Sequence, residues 1–276
     1  MTAPGRDGGL GLEYLSVFGM PLPDYVALAA RLGCDFVSVN YGRPANAPAD
    51  HGGETLRESA ALRKDLAEAV AGHGLRIELV EGFAIVPNAG IERYAADLDA
   101  IARLGARSIC AVGMDRDLGR TRAQFAALAD MASERGLRVT TEVGAGTIRT
   151  FEKARALWQA VAHPGFALLI DTMHFFRFGG RATDLDTLPP GAVGHVQLCD
   201  VPMPARIESY MEEALFERRA PGEGDLPLGP FLARLPASVP IGLEVPIRSE
   251  ADAGIDAETR LGRCLARTRA LIADPA

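Results

Sequence analysis

Glu142 in VTTEVG, Asp171 in ALLIDTMH, Gln197 in GHVQLCD and Glu244 in PIGLEVP each stand at the end of a short apolar, β-rich run. Three carboxylates and a primary amide offer hard oxygen donors, which suit Mn²⁺ or Mg²⁺, with Co²⁺ also compatible, better than a metal that seeks thiolates. Taken singly, an Asp or Glu in such a place is most often a helix N-cap or a solvated loop residue. Four polar ends in four consecutive runs point instead to one divalent-cation site.

Such residues converge only if the elements beneath them end at one place. Short β-rich runs alternate with longer helical patterns along the whole chain, the signature of repeated βα units. Eight strands are expected, at about Tyr14–Gly19, Asp35–Asn40, Arg76–Glu81, Ser108–Gly113, Arg138–Val143, Phe166–Thr172, Gly194–Cys199 and Ile241–Val245. The intervening segments carry apolar residues at helical spacing, as in Leu62, Leu66, Ala69 and Val70, and helices end on Gly33, Gly74, Gly105 and Gly136. Eight units close a (β/α)8 TIM barrel, whose chemistry sits at the C-terminal strand ends. No phosphate-binding glycine turn follows the first strand, which disfavours a doubly wound sheet. One α/β domain covers residues 1–276, with roughly the first ten residues expected to be flexible. Two stretches break the rhythm: a Pro/Ala loop over 41–50 and a long loop after strand seven, from Val201 to Gly229.

Composition removes several function classes. The formal net charge is −7, which gives no long-range attraction for nucleic acid. Lys64 and Lys153 are the only lysines, each on a polar helix face, so Schiff-base chemistry is disfavoured. Cys34, Cys110, Cys199 and Cys264 are scattered, with neither a CxxC nor a close Cys/His spacing, and read as reduced thiols of a cytoplasmic protein. No apolar stretch approaches the roughly 20 residues of a membrane span.

Over nearly its whole length, and most specifically from Glu142 onward, the chain resembles the xylose-isomerase-like TIM-barrel superfamily of sugar isomerases and epimerases, which includes hydroxypyruvate isomerase and the ketose 3-epimerases. The resemblance implies one divalent metal held by a Glu after strand five, an Asp after strand six, a Gln or His after strand seven and a Glu after strand eight: Glu142, Asp171, Gln197 and Glu244. Asp171-Thr-Met-His174 resembles the family's Asp-Thr-x-His, which implies that His174 contacts a substrate oxygen. Arg218-Arg-Ala-Pro-Gly-Glu-Gly224 resembles an Arg-x-Pro-Gly-x-Gly element, which implies that Arg218 reaches a substrate hydroxyl. Glu81, closing strand three, is a further substrate contact, with Glu78 its competitor if the register slips by one. His195, one layer deeper than Gln197 on the same strand face, reads as a hydrogen-bonded histidine behind the site. Asp200 reads as an anchor for the long loop or a salt-bridge partner within it.

The implied chemistry is enolisation of a small hydroxy-ketone, keto-sugar or keto-acid. A carboxylate removes the proton beside a carbonyl and an enediolate forms; Glu142 and Glu244 exchange the proton from opposite sides. Isomerisation or epimerisation is favoured by Gln197 and the Arg-containing loop. Dehydration of a keto-inositol or dehydroshikimate-like acid is the alternative. A DNA-repair endonuclease would need several His ligands, and of the five histidines His51, His73 and His163 fall in loops or at helix ends. A metal-free sugar-binding barrel would not need all four ligands. Among relatives, homo-oligomers are common.

Overall fold

The computed structural model describes residues 6–43 and 54–274. Most of the Pro/Ala loop, from residue 44, and His51 lie outside these, as do residues 1–5. Eight parallel strands, β1 (Leu10–Glu13), β2 (Phe36–Asn40), β3 (Arg76–Ile85), β4 (Ser108–Gly113), β5 (Arg138–Val143), β6 (Phe166–Asp171), β7 (Val193–Leu198) and β8 (Ile241–Leu243), form a closed barrel in chain order. The main apolar core lies between strands and helices, and Leu79, Cys110 and Leu169 form a separate small cluster. Leu79 and Leu169 each precede a site carboxylate by two residues, on the same strand face and one layer deeper. The four expected helix-ending glycines all adopt positive φ. No helix among the described residues is long and apolar enough to cross a membrane.

The first strand differs from expectation. Leu10–Glu13 is the strand and Tyr14–Val17 is a 3-10 turn, so the expected Tyr14–Gly19 strand lies one element too late. Aromatic and β-branched residues in YLSVF carry the strand propensity, but barrel closure overrides it. Gly11 leaves room for Phe36, whose Cδ2 would lie 2.3 Å from a Cβ at position 11. Ser16, in the turn, donates to the Leu243 carbonyl (3.0 Å) and accepts from the Val245 N–H (2.8 Å), fixing the end of β8. The chain is anchored before the expected flexible start ends, since Gly8 N–H donates to Ala237 at 2.9 Å.

β3 also runs beyond its expected end. Its pairing with β4 shifts register between Val80 and Phe83, and Gly82 there has φ +107, a conformation that favours glycine. Glu81 keeps the strand face of Leu79 and stands at this irregularity, and bulges are common beside functional sites. Glu78, its competitor, pairs with Arg76 at 2.6 Å and so is excluded from the mouth.

The loop after β7 carries the helix Tyr210–Phe216 and leads into Leu228–Leu232. Asp200 anchors it: its carboxylate accepts the backbone N–H groups of Val201 (2.9 Å), Gly222 (2.9 Å) and Leu226 (3.0 Å). Arg219 is exposed, although its backbone pairs with that of Asp200.

Candidate metal centre

The barrel brings Glu142, Asp171, Gln197 and Glu244 to one mouth. Asp171 and Gln197 are lateral partners on β6 and β7, and Glu244 follows the last residue of β8. Asp171 fulfils the ordinary role of a strand-end aspartate as well, since its Oδ1 caps the helix Thr172–Arg177 by accepting the His174 N–H at 3.0 Å. Its Oδ2 accepts from Arg218 Nη1.

Arg218 lies deep in the site. It is buried, its Nε donates to the Ala214 carbonyl at 2.8 Å, and its Nη1 lies 2.9 Å from Glu244 Oε2. The guanidinium therefore spans two of the four expected metal ligands. Burial alone would raise the Asp171 pKa, but Arg218 beside it overcomes that and holds it below the usual carboxylate range. Burial works against the Arg218 charge as well, and Asp171 and Glu244 together keep its pKa well above the ordinary arginine value.

His174 stands at the rim. Its Nε2 is 3.2 Å from Glu142 Oε1, and its Nδ1 is hydrogen-bonded to the Tyr210 hydroxyl. Burial lowers its pKa, favouring the neutral ring; with Tyr210 donating to Nδ1, the proton resides on Nε2. Glu142, Asp171 and His174 each present a donor atom within 4.8 Å of the others, close enough to hold a metal ion. This group shares two residues with the set expected from the sequence.

The opposite arc of the mouth adds two carboxylates. Glu81 Oε1 accepts from Gln197 Nε2 at 3.1 Å, and burial, reinforced by Glu13, pushes the Glu81 carboxyl up to about 7. Glu13, at the end of β1, is completely buried; its Oε1 accepts from Ser38 Oγ (3.0 Å) and pairs with His195 Nε2 (2.7 Å). His195 is thus the hydrogen-bonded histidine behind the site that its depth suggests.

Glu13 escapes a reading that starts the first strand at Tyr14. A signal for it exists: Leu10-Gly-Leu-Glu13 nearly repeats Ile241-Gly-Leu-Glu244, and the two segments pair in the barrel with Gly11 opposite Gly242.

The donor chemistry fits a divalent cation. Among the described residues, Glu13, Glu81, Glu142, Asp171 and Glu244 share the mouth with one guanidinium, that of Arg218. Burial drives the pKa of Glu142 well up, helped by Asp171 and Glu81. Burial does the same to Glu244 despite Arg218. Concentrated, buried negative charge with too little positive charge is what a hard cation relieves.

A sequence profile described as xylose isomerase-like TIM barrel matches residues 26–265. Curated proteins give no match to the chain. Among solved structures, a protein named IOLI, with a bound zinc atom, superposes with a TM-score of 0.76 at 16% identity, over 96% of this chain and 98% of that one. D-psicose 3-epimerase from Clostridium cellulolyticum H10, solved with D-tagatose, gives 0.71 at 15%, over 96% and 99%. A xylose isomerase-like TIM barrel/4-hydroxyphenylpyruvate dioxygenase fusion protein gives 0.72 at 21%, over 91% of this chain; the chain spans only 43% of that protein. At these identities the structural likeness establishes the fold, and the profile match establishes the family. The chain belongs to the xylose isomerase-like TIM barrel family.

Proposed function

We propose that the chain is a divalent-metal-dependent isomerase or epimerase of a small hydroxy-ketone, such as a ketose or keto-sugar. The observation that carries this reading is the convergence of five buried or half-buried carboxylates and one guanidinium at the C-terminal mouth of the barrel. Structural neighbours that include a ketose 3-epimerase and a zinc-binding barrel support it.

Glu142, Asp171, Gln197 and Glu244 would hold the cation, with His174 beside them as a donor to substrate. A bound divalent cation polarises a carbonyl and offsets developing negative charge. Glu142 and Glu244 do the proton work. In the metal-free chain burial raises the proton affinity of both, and a bound cation would oppose that shift, leaving carboxylates that can accept and return a proton. One removes the proton from the carbon beside the carbonyl, and the electron pair moves to the carbonyl oxygen. Return of a proton to the other face of that carbon gives the epimer. Return to the former carbonyl carbon, with a proton shift between the oxygens, gives the isomer. His174 Nε2–H and the Arg218 guanidinium are the donors available to substrate oxygens, and Tyr210 holds the His174 ring in place.

Incubation with a panel of ketoses, keto-inositols and dehydroshikimate in D₂O with Mn²⁺, followed by NMR, tests the proposal. Deuterium should enter the carbon beside the carbonyl of at least one ketose, and chelator should abolish it. A metal-loaded protein that exchanges no proton on any of them would overturn it; water loss without exchange into recovered ketose would move the chain to the lyases.

A further inference from the structure

The side chain of Gln197 has one end that can bind a cation and one end that repels it. Its Nε2 lies 3.1 Å from Glu81 Oε1, 3.4 Å from Glu244 Oε1 and 3.5 Å from Glu13 Oε2. Carboxylate oxygens accept hydrogen bonds, so the N–H₂ end belongs among them and the carbonyl oxygen takes the other direction. An amide turned the other way would point a donor at any cation.

Of these three carboxylates, Glu13 is held most completely by the protein. Ser38 of β2 and His195 of β7 both engage Oε1, which leaves Oε2 for Gln197. β8 supplies the space: a Cβ at Gly242 would lie 1.7 Å from Glu13 Oε1, so only glycine there lets the carboxylate lie across the strand. Three strands thus converge on a side chain of β1 with no exposed surface that cannot itself reach substrate.

We infer that Glu13 is a positioning residue. Its fixed carboxylate sets which way the Gln197 amide faces, and so presents the Gln197 carbonyl oxygen as a cation donor. The inference rests on reading the mouth as a cation centre, but the amide orientation can be measured without a cation.

Glu13→Gln is the sharpest test because it preserves shape. Its carbonyl would stay with the Ser38 and His195 donors, and its N–H₂ would then face the Gln197 N–H₂ and turn that amide over. In metal-free protein, the Gln197 side-chain N–H₂ resonances, assigned by their loss in Gln197→Glu, should be slowly exchanging and lose that protection in Glu13→Gln. Mn²⁺ affinity measured by calorimetry should fall about 10–100-fold, the usual effect of removing a partner that orients a ligand. Glu13→Gln should cost much less Mn²⁺ affinity in a Gln197→Glu background than in the wild type, because its N–H₂ there faces an acceptor; this coupling, read against Gln197→Glu alone, is one that a merely structural role would not produce. Should Glu13→Gln not fold, Gly242→Ala displaces the same carboxylate and should give the same two changes. Unchanged N–H₂ exchange and unchanged Mn²⁺ affinity in a folded Glu13→Gln protein would overturn the inference. Wild-type protein that binds no Mn²⁺ would overturn the proposed function instead, and the resonances would still decide the role of Glu13.

Discussion

The two arcs of the barrel mouth carry the same residue types at similar depth and differ in their partners. On the β5–β8 arc, Asp171 and Glu244 share the Arg218 guanidinium, and Asp171 also receives a helix N-terminus. On the β1–β3 arc, Glu13 and Glu81 are held by a hydroxyl, an imidazole and an amide. The proton affinities diverge accordingly: Asp171 falls below the carboxylate range while Glu81 rises to about 7. The buried guanidinium sets Asp171 apart, whereas burial drives Glu142 and Glu244 on the same arc upward, as it does Glu81.

The largest effects are expected where chemistry depends on that separation. Glu142→Gln and Glu244→Gln, each at saturating Mn²⁺, should slow solvent exchange at the substrate carbon by roughly 10²–10⁴-fold, the usual contribution of general acid–base catalysis. Near-normal exchange in both would transfer the proton work to the other arc, where Glu81 is the candidate. Arg218→Met erases the difference between the arcs. In chelator, it leaves Asp171 and Glu244 buried without a counter-charge and should cost about 3–5 kcal/mol of stability in urea unfolding at neutral pH. Added Mn²⁺ should restore part of that, whereas a loss below about 1 kcal/mol would show that the guanidinium does not govern this arc.

Asp171 and Glu81 should also respond to pH in opposite directions. Glu81 has its folded pKa raised from 4.5 to about 7, so the metal-free folded chain holds a proton that the unfolded chain has released across that window. Its contribution to stability is present below 4.5 and is lost as pH rises towards about 7, and Glu81→Gln should flatten that slope. Asp171 has a lowered folded pKa, so its contribution is present above its unfolded value of 3.8 and is lost as pH falls through the lower folded value. Asp171→Asn should flatten that acid limb alone. Chemical denaturation of the metal-free protein from pH 3 to 8 checks both. The smallest effect belongs to Glu78→Gln, three residues from Glu81 but outside the mouth. It removes the pairing with Arg76 and should cost no more than about 1 kcal/mol, with Mn²⁺ affinity unchanged.

Legibility in the sequence followed the same division. The expected ends of β4 and β5 coincide with those observed, and the four polar strand ends from Glu142 to Glu244 stand out because each closes an uninterrupted apolar run. The other arc is built from irregular segments. Gly11 interrupts β1, and the YLSVF that follows is the more strand-like segment, which hides Glu13. The bulge at Glu81 depends on pairing with β4, which strand periodicity within β3 does not encode. The location of Arg218 was equally hidden: its motif places it in the long loop, but the depth of its side chain follows from the Glu217–Ile247 bridge and the Asp200 anchor, contacts far apart in sequence.

The central claim, that this mouth is built for one divalent cation, is tested most directly by titrating chelator-stripped protein with Mn²⁺ in a calorimeter, beside Asp171→Ala. The wild-type chain should bind one ion per subunit, more tightly as pH rises through about 7 and the proton leaves the Glu81 carboxyl. Asp171→Ala should lose that binding and yet give the circular dichroism of a folded barrel. Full loading of folded Asp171→Ala with wild-type affinity would contradict the account.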